Sequence, residues 1–211
     1  MNPPKSVGKM PMEDKFHTFA PMKILMVCLG NICRSPLAEG ILKRKANNAG
    51  LMWTVESAGT SSGSSAGAAP HPLSQKVARL HGMDISRQRA RPFTASDFSR
   101  YDKVYAMAGD VLDEIKWIAK NKFDGRKAEL LMNEIYPGKN LDIPDPWSGA
   151  EAGYHLVFKM MENACDAIIA KYRTPPPPPH PAPPKEGISE DFSQHETGDL
   201  PTHKKNKYDL E

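Results

Sequence analysis

Cys28 and Arg34 stand six residues apart in the run Cys28-Leu29-Gly30-Asn31-Ile32-Cys33-Arg34-Ser35-Pro36, directly after the apolar stretch Ile24-Leu25-Met26-Val27. A sulfur nucleophile must be ionised to attack, and a nearby cation and a helix N-terminus both favour the anion. A tight loop ahead of a helix also gathers backbone N–H groups into an anion cradle. The planar fork of an arginine grips two oxygens of a phosphoryl group at once. Nucleophile, cradle and clamp within seven residues point to phosphoryl transfer onto sulfur. A cysteine closing a buried strand is more often inert packing. Here Gly30, Arg34, Ser35 and Pro36 in register with it favour catalysis, with Leu29 to Ser35 as the phosphate-binding loop.

Such a loop needs a strand to launch it and a helix to receive it. Lys23–Val27 reads as a buried strand, and Ser35 reads as an N-cap with Pro36 at the first helical position. Leu37, Ile41 and Leu42 give that helix an inner face. Strand-like runs follow at Trp53–Glu56, Lys103–Met107 and Glu129–Met132. Helical spacing marks Leu73, Val77 and Leu80, closed by His81-Gly82, and then Val111, Leu112, Ile115, Ile118 and Ala119. The stretch 149–173 carries Val157, Met160, Met161, Ala164, Ile168 and Tyr172 along one stripe, as an amphipathic helix does. Alternating β and α segments predict an α/β fold whose parallel sheet is covered on both faces. Ligands of such sheets bind beyond the carboxyl ends of the strands, where the Cys28 loop falls.

The loop resembles, residue for residue, the signature of the low-molecular-weight protein tyrosine phosphatases. Asp145-Pro146, after Asp142-Ile143-Pro144, looks like that family's general-acid loop. Trp53-Thr54-Val55-Glu56-Ser57-Ala58-Gly59-Thr60 and His81-Gly82-Met83-Asp84 are family-like in type and order. The likeness covers roughly Lys23 to Arg173. It implies a three-layer sandwich around a four-stranded parallel sheet in the order 2-1-3-4, a flavodoxin-like or Rossmann-like phosphatase fold. It also implies hydrolysis of phosphotyrosine and small aryl phosphates through a phosphocysteine on Cys28, with Asp145 as general acid and then base. By the same likeness, Ser35 donates to the Cys28 sulfur and Asn31 holds the loop's tight, partly left-handed shape, which asparagine tolerates. Cys33 resembles an oxidation guard that pairs with Cys28 under peroxide; a small packed residue is the plainer reading. Trp53 and Trp147 would flank the pocket mouth and sandwich an aryl ring, although either type is at home in a core. Asp145 before a proline is also ordinary turn chemistry, and Asp142 is the next candidate for the acid.

Phosphoarginine hydrolysis is the nearest alternative. The branch specialised for it resembles the same loop with Thr where this chain has Ile32, so Ile32 favours phosphotyrosine. Arsenate reduction needs further cysteines to relay a disulfide outward, and the stretch from Ser86 to Ile143 has none. An idle interaction protein is disfavoured by the complete Cys28, Arg34 and Asp145 set. The chain departs from the family pattern at Met107-Ala108-Gly109-Asp110, at Trp147-Ser148, at His71-Pro72 and at Gln88. These positions bear on substrate choice and rate.

The rest of the composition fits a cytoplasmic enzyme without cofactor or metal. Three cysteines, two of them in one loop, build no disulfide framework. Seven histidines are scattered without metal-ligand spacing. Residues 1–21 lack the apolar core of a signal peptide and read as a flexible leader, and no run is long enough to span a bilayer. From Thr174 onward four Lys face seven Asp or Glu, so the tail carries −3 of the +3 total and the body +6. That mildly basic body suits phosphate and other oxyanions and gives no signature of nucleic-acid binding. A phosphatase domain is expected over 22–173. Beyond it, Pro175–Pro179, Pro181, Pro183 and Pro184 start a Pro-rich, charged tail expected to stay unfolded or to dock a proline-binding partner.

Overall fold

The computed structural model describes residues 21–173. Residues 1–20 of the leader expected over 1–21, and the tail from 174, lie outside the described residues.

Strand β1 spans Lys23–Cys28, and helix α1 spans Arg34–Asn48. Then come β2 (Thr54–Gly59), α2 (Pro72–Leu80), the single-turn α3 (Asp97–Arg100) and β3 (Lys103–Ala106). The chain closes with α4 (Gly109–Ala119), β4 (Ala128–Leu130) and the long α5 (Glu151–Arg173). The four strands pair in parallel in the order β2-β1-β3-β4. The fold class is as the sequence pattern predicts, and the strand order is as the family resemblance implies.

The continuous apolar run of β1 follows from burial on both faces. Its side chains alternate between two cores. Ile24 and Met26 pack with residues of α1, α2 and α5, whereas Leu25 and Val27 pack with Phe98 of α3 and Val111 and Ile115 of α4. From β1 the chain runs to β2 on one side and, after β2, crosses to β3 on the other. The strand order therefore reverses beside the carboxyl end of β1, the crevice in which open α/β sheets take their ligands. Cys28 is the last residue of that strand.

Two local expectations need correction. The strand predicted over Glu129–Met132 ends at Leu130, and Leu131–Glu134 forms a 3₁₀ turn. Leu131 and Met132 both enter the core beneath α5 while Leu130 enters the opposite one. Successive residues of a strand cannot face the same side, so the chain must turn. Helix α1 begins at Arg34 with Cys33 at the cap position and no side-chain cap, rather than with Ser35 as N-cap and Pro36 at the first position. The Ser35 hydroxyl is engaged elsewhere.

Candidate active site

The loop between β1 and α1 is held from outside by its carbonyls. Thr60 N–H donates to the Cys28 carbonyl, Ser61 N–H to Leu29 and His71 N–H to Ile32. Ser65 Oγ reaches the Gly30 carbonyl at 2.8 Å and Ser74 Oγ the Cys33 carbonyl at 3.2 Å. A loop whose carbonyls are drawn outward turns its amide edges toward the enclosed side. Gly59, at the end of β2, packs directly behind this loop. A Cβ there would stand 2.6 Å from the Leu29 oxygen and 2.9 Å from the Asn31 nitrogen, so no larger residue fits without moving the loop.

Asn31 takes the left-handed backbone, at φ 55°, and its buried amide joins three segments. The Arg91 N–H donates to Asn31 Oδ1, which fixes the amide orientation, and Nδ2 donates to Ser35 Oγ and Ser57 Oγ, all at 2.9 Å. Ser57 in turn donates to Glu39 at 2.7 Å. Ser35 Oγ also lies 2.9 Å from the Cys28 sulfur and 3.5 Å from the Ala58 carbonyl. A thiolate can only accept, so an ionised Cys28 takes the hydroxyl proton, and the network ends at the sulfur. Asn31 and Ser35 sit behind the loop and do not line the cavity.

That cavity has a volume of about 560 Å³ and is lined by Cys28, Leu29, Gly30, Ile32, Cys33, Arg34, Ser61, Ser64, Ser65, Asp145, Trp147 and Ser148. Arg34 is buried. Its Nη1 donates to the Ile143 carbonyl at 3.0 Å and its Nη2 to Asp145 Oδ2 at 2.5 Å. Its Nε is buried with no hydrogen-bond partner. Buried donors are rarely left orphaned, and this one belongs to a residue that lines the cavity. An oxyanion seated there would satisfy it. Asp145 is partly exposed, and its other oxygen accepts the Trp147 N–H at 3.0 Å. The other acid candidate, Asp142, accepts from Gly109 N–H at the start of α4. Asp110 is likewise occupied with the Val111 N–H of its own helix.

The two tryptophans part company. Trp147 stands at the mouth, 57% exposed. Trp53 does not reach the cavity, which corrects the expectation of a paired aromatic sandwich. It precedes β2 at the amino end of the sheet, opposite the Cys28 loop, and packs edge-on against Tyr172 with ring centroids 5.6 Å apart. The wall facing Trp147 is instead serine-rich, from the 3₁₀ turn Ser62–Ser65 and the preceding Ser61.

Sequence reasoning also missed a cluster behind Cys33. Its Sγ lies 3.6 Å from the Tyr154 hydroxyl, which lies 3.0 Å from His71 Nδ1. The His71 ring stacks on Tyr154 and meets Trp147 edge-on, with both centroid distances 5.3 Å. Burial pushes the Cys33 thiol up to about 11, with Asp145 and Cys28 adding to the rise and the Tyr154 hydrogen bond and Arg34 opposing it. The unusual His71-Pro72 pair was the one available signal. Nothing local tied it to Tyr154, 83 residues away.

A sulfur at a strand end, the loop that follows it, a buried arginine and a partly exposed aspartate come together at one cavity. The model of the family described as low molecular weight phosphotyrosine protein phosphatase matches residues 23–174. This chain belongs to that family. A low molecular weight protein-tyrosine-phosphatase of Streptomyces coelicolor is 36% identical over 155 residues, covering 72% of this chain and 93% of the relative. Among solved structures, Vibrio vulnificus Wzb in complex with benzylphosphonate superposes with a TM-score of 0.64 at 28% identity, over 71% of this chain and 98% of that one. The YwlE arginine phosphatase, solved as a Cys-to-Ser mutant with a phosphorylated active-site serine, has a TM-score of 0.66 at 25% identity, over 72% and 97%. These similarities place the chain among phosphatases. Among the described residues no helix is long and apolar enough to cross a membrane.

Proposed function

We propose that the chain hydrolyses phosphotyrosine in proteins or peptides, and small aryl phosphates, through a phosphocysteine on Cys28. The observation that carries this reading is the Arg34 guanidinium, buried beside the Cys28 loop with its Nε unpartnered and its Nη2 on Asp145. A phosphoryl group entering the loop satisfies Nε and draws the guanidinium from Asp145, which frees that carboxyl to carry a proton.

Cys28 attacks as the thiolate. The S–P bond forms as the P–O bond to the phenol breaks, and Asp145 gives its proton to the leaving oxygen. Water then attacks phosphorus, Asp145 takes the proton back, and inorganic phosphate leaves with the thiolate restored. Acid and base assistance of this kind contributes ~10²–10⁴-fold. The loop amides and Arg34 contribute the electrostatic share by matching the equatorial oxygens in the transition state. The Ser35 hydroxyl, 2.9 Å from the sulfur, stabilises the thiolate both as it forms and as it departs. The benzylphosphonate complex of the Vibrio relative and the phosphorylated serine of YwlE support a covalent, aryl-accepting site.

Phosphoarginine is the second reading, favoured by the likeness to YwlE. Ile32, which lines the cavity, favours the aryl substrate. Cys33 is assigned the redox guard of Cys28, since both thiols line one cavity. The site is assigned no metal or cofactor, the protein a cytoplasmic setting, and the Pro-rich segment from Pro175 a proline-binding partner. Side-by-side turnover of phosphotyrosine and phosphoarginine peptides without added metal tests the substrate assignment. Phosphotyrosine is expected to be the faster by far, and preferential release from phosphoarginine would reverse the reading.

A further inference from the structure

Cys33, Tyr154 and His71 form a chain whose direction is fixed by one backbone group. The Leu73 N–H donates to His71 Nδ1 at 3.3 Å. A backbone amide can only donate, so Nδ1 is an acceptor and the neutral ring carries its proton on Nε2. Tyr154 must then donate its hydroxyl proton to the same Nδ1, and its oxygen is left to accept the Cys33 S–H. Thiol, phenol and imidazole thus line up donor to acceptor, starting at a thiol that lines the cavity with Cys28 and ending at a ring that is only partly buried. A cysteine that merely fills space has no use for such a chain. The titratable and charged groups around it are Cys28 and Arg34 in the loop, Asp145 above it and Tyr154 on α5.

We propose that His71, acting through Tyr154, is the proton acceptor that lets Cys33 attack an oxidised Cys28 at neutral pH. The inference rests on the reading of Cys33 as redox guard and supplies the base that this reading lacks. Hydrogen peroxide takes two electrons from the Cys28 thiolate, leaving Cys28 as the sulfenic acid and releasing hydroxide. The Cys33 sulfur then attacks the Cys28 sulfur. As the S–S bond forms, the Cys33 proton moves to Tyr154 and the Tyr154 proton to His71 Nδ1, which gives up its long bond from the Leu73 N–H, while the hydroxyl on Cys28 leaves and takes a proton from solvent as water. His71 returns its extra proton to solvent. The net change is one peroxide reduced to water and two thiols joined. Without the relay, a buried thiol that ionises reluctantly attacks slowly, and further peroxide carries Cys28 to the irreversible sulfinic acid.

The test is a fixed pulse of hydrogen peroxide given to the full chain, quenched by alkylation. Peptide mass spectrometry then counts Cys28–Cys33 disulfide against sulfinic Cys28. In Tyr154→Phe and His71→Asn, disulfide formation near neutral pH should slow roughly tenfold or more, the modest end of general-base effects. It should recover in alkali, where hydroxide removes the thiol proton directly. Rates within about twofold of wild type at every pH would overturn the proposal. Should His71→Asn fail to fold, Tyr154→Phe, which removes a single oxygen, carries the test. Cys33→Ser separates the two claims, because reductive recovery should vanish in it. Recovery as full as in wild type would sink the guard reading and the relay with it.

Discussion

The two sides of the Cys28 loop are built on opposite terms. Behind the sulfur the side chains are cross-linked: Asn31 holds Arg91, Ser35 and Ser57, Ser57 holds Glu39, and Ser35 faces Cys28, in buried or part-buried contacts of 2.7 to 2.9 Å. In front, the mouth is open. Trp147 is 57% exposed, Leu29 is 38% exposed, and the facing wall is a serine turn with no aromatic partner. A low-dielectric, cross-linked back fixes the charge that chemistry requires. On the proposed function, a loose, half-apolar front would grip one face of an aryl ring and leave selectivity to weak contacts. Substitutions behind or within the loop should therefore act on kcat, and substitutions at the mouth on KM.

The largest expected effect comes from Arg34→Lys. It keeps the charge but loses the fork that spans Ile143, Asp145 and the orphan Nε position. Losing one preorganised oxyanion donor lowers kcat by ~10²–10³. Aryl phosphate kinetics check this, and a wild-type kcat would mean that charge alone suffices. Gly59→Ala comes next. Its Cβ would press on the Leu29 carbonyl and the Asn31 nitrogen, and overpacking of this kind costs ~1–3 kcal/mol. Thermal unfolding should register the loss together with a fall in kcat. Ser35→Ala removes the hydroxyl facing the sulfur. A hydrogen bond to a charged group is worth ~1.5–3 kcal/mol, so kcat should fall by roughly ten- to a hundredfold while KM stays near its original value. A change confined to KM would blur the division between back and front.

The smallest effect is expected at Trp147→Ala. A single aromatic face contributes ~0.5–1.5 kcal/mol, so KM for aryl phosphates should rise by a few-fold to about tenfold with kcat little altered. The wall can also be completed. Ser64→Trp places a second ring across the cavity from Trp147, and a lower KM for aryl phosphates should follow.

The back of the site was legible in the sequence because its logic is local. A strand, a loop and a helix start within nine residues fix Cys28, Asn31, Arg34 and Ser35 relative to one another, and only the cap role of Ser35 was misread. Ser35 lies inside α1, whose cap position falls at Cys33, and its hydroxyl meets Asn31 and Cys28 instead. The fold was legible for a similar reason, since two-sided burial makes β1 continuously apolar. The front was legible only in part. Trp53 and Trp147 are the same residue type, yet one precedes a strand at the amino edge of the sheet and the other follows the last strand at the carboxyl edge. Position along the strand, rather than aromatic character, decided which could meet a ligand. The Cys33, Tyr154 and His71 chain joins segments 83 and 121 residues apart and leaves no spacing to detect.

The division between a fixed back and a permissive front has meaning only if the sulfur forms the covalent bond. Asp145→Ala protein, mixed with a substrate bearing a good leaving group and quenched in acid within the first turnover, puts that to the test. Peptide mass spectrometry should find phosphate on Cys28 and on no other residue. Turnover with no phosphate ever attached to Cys28, or phosphate attached elsewhere, would contradict the account.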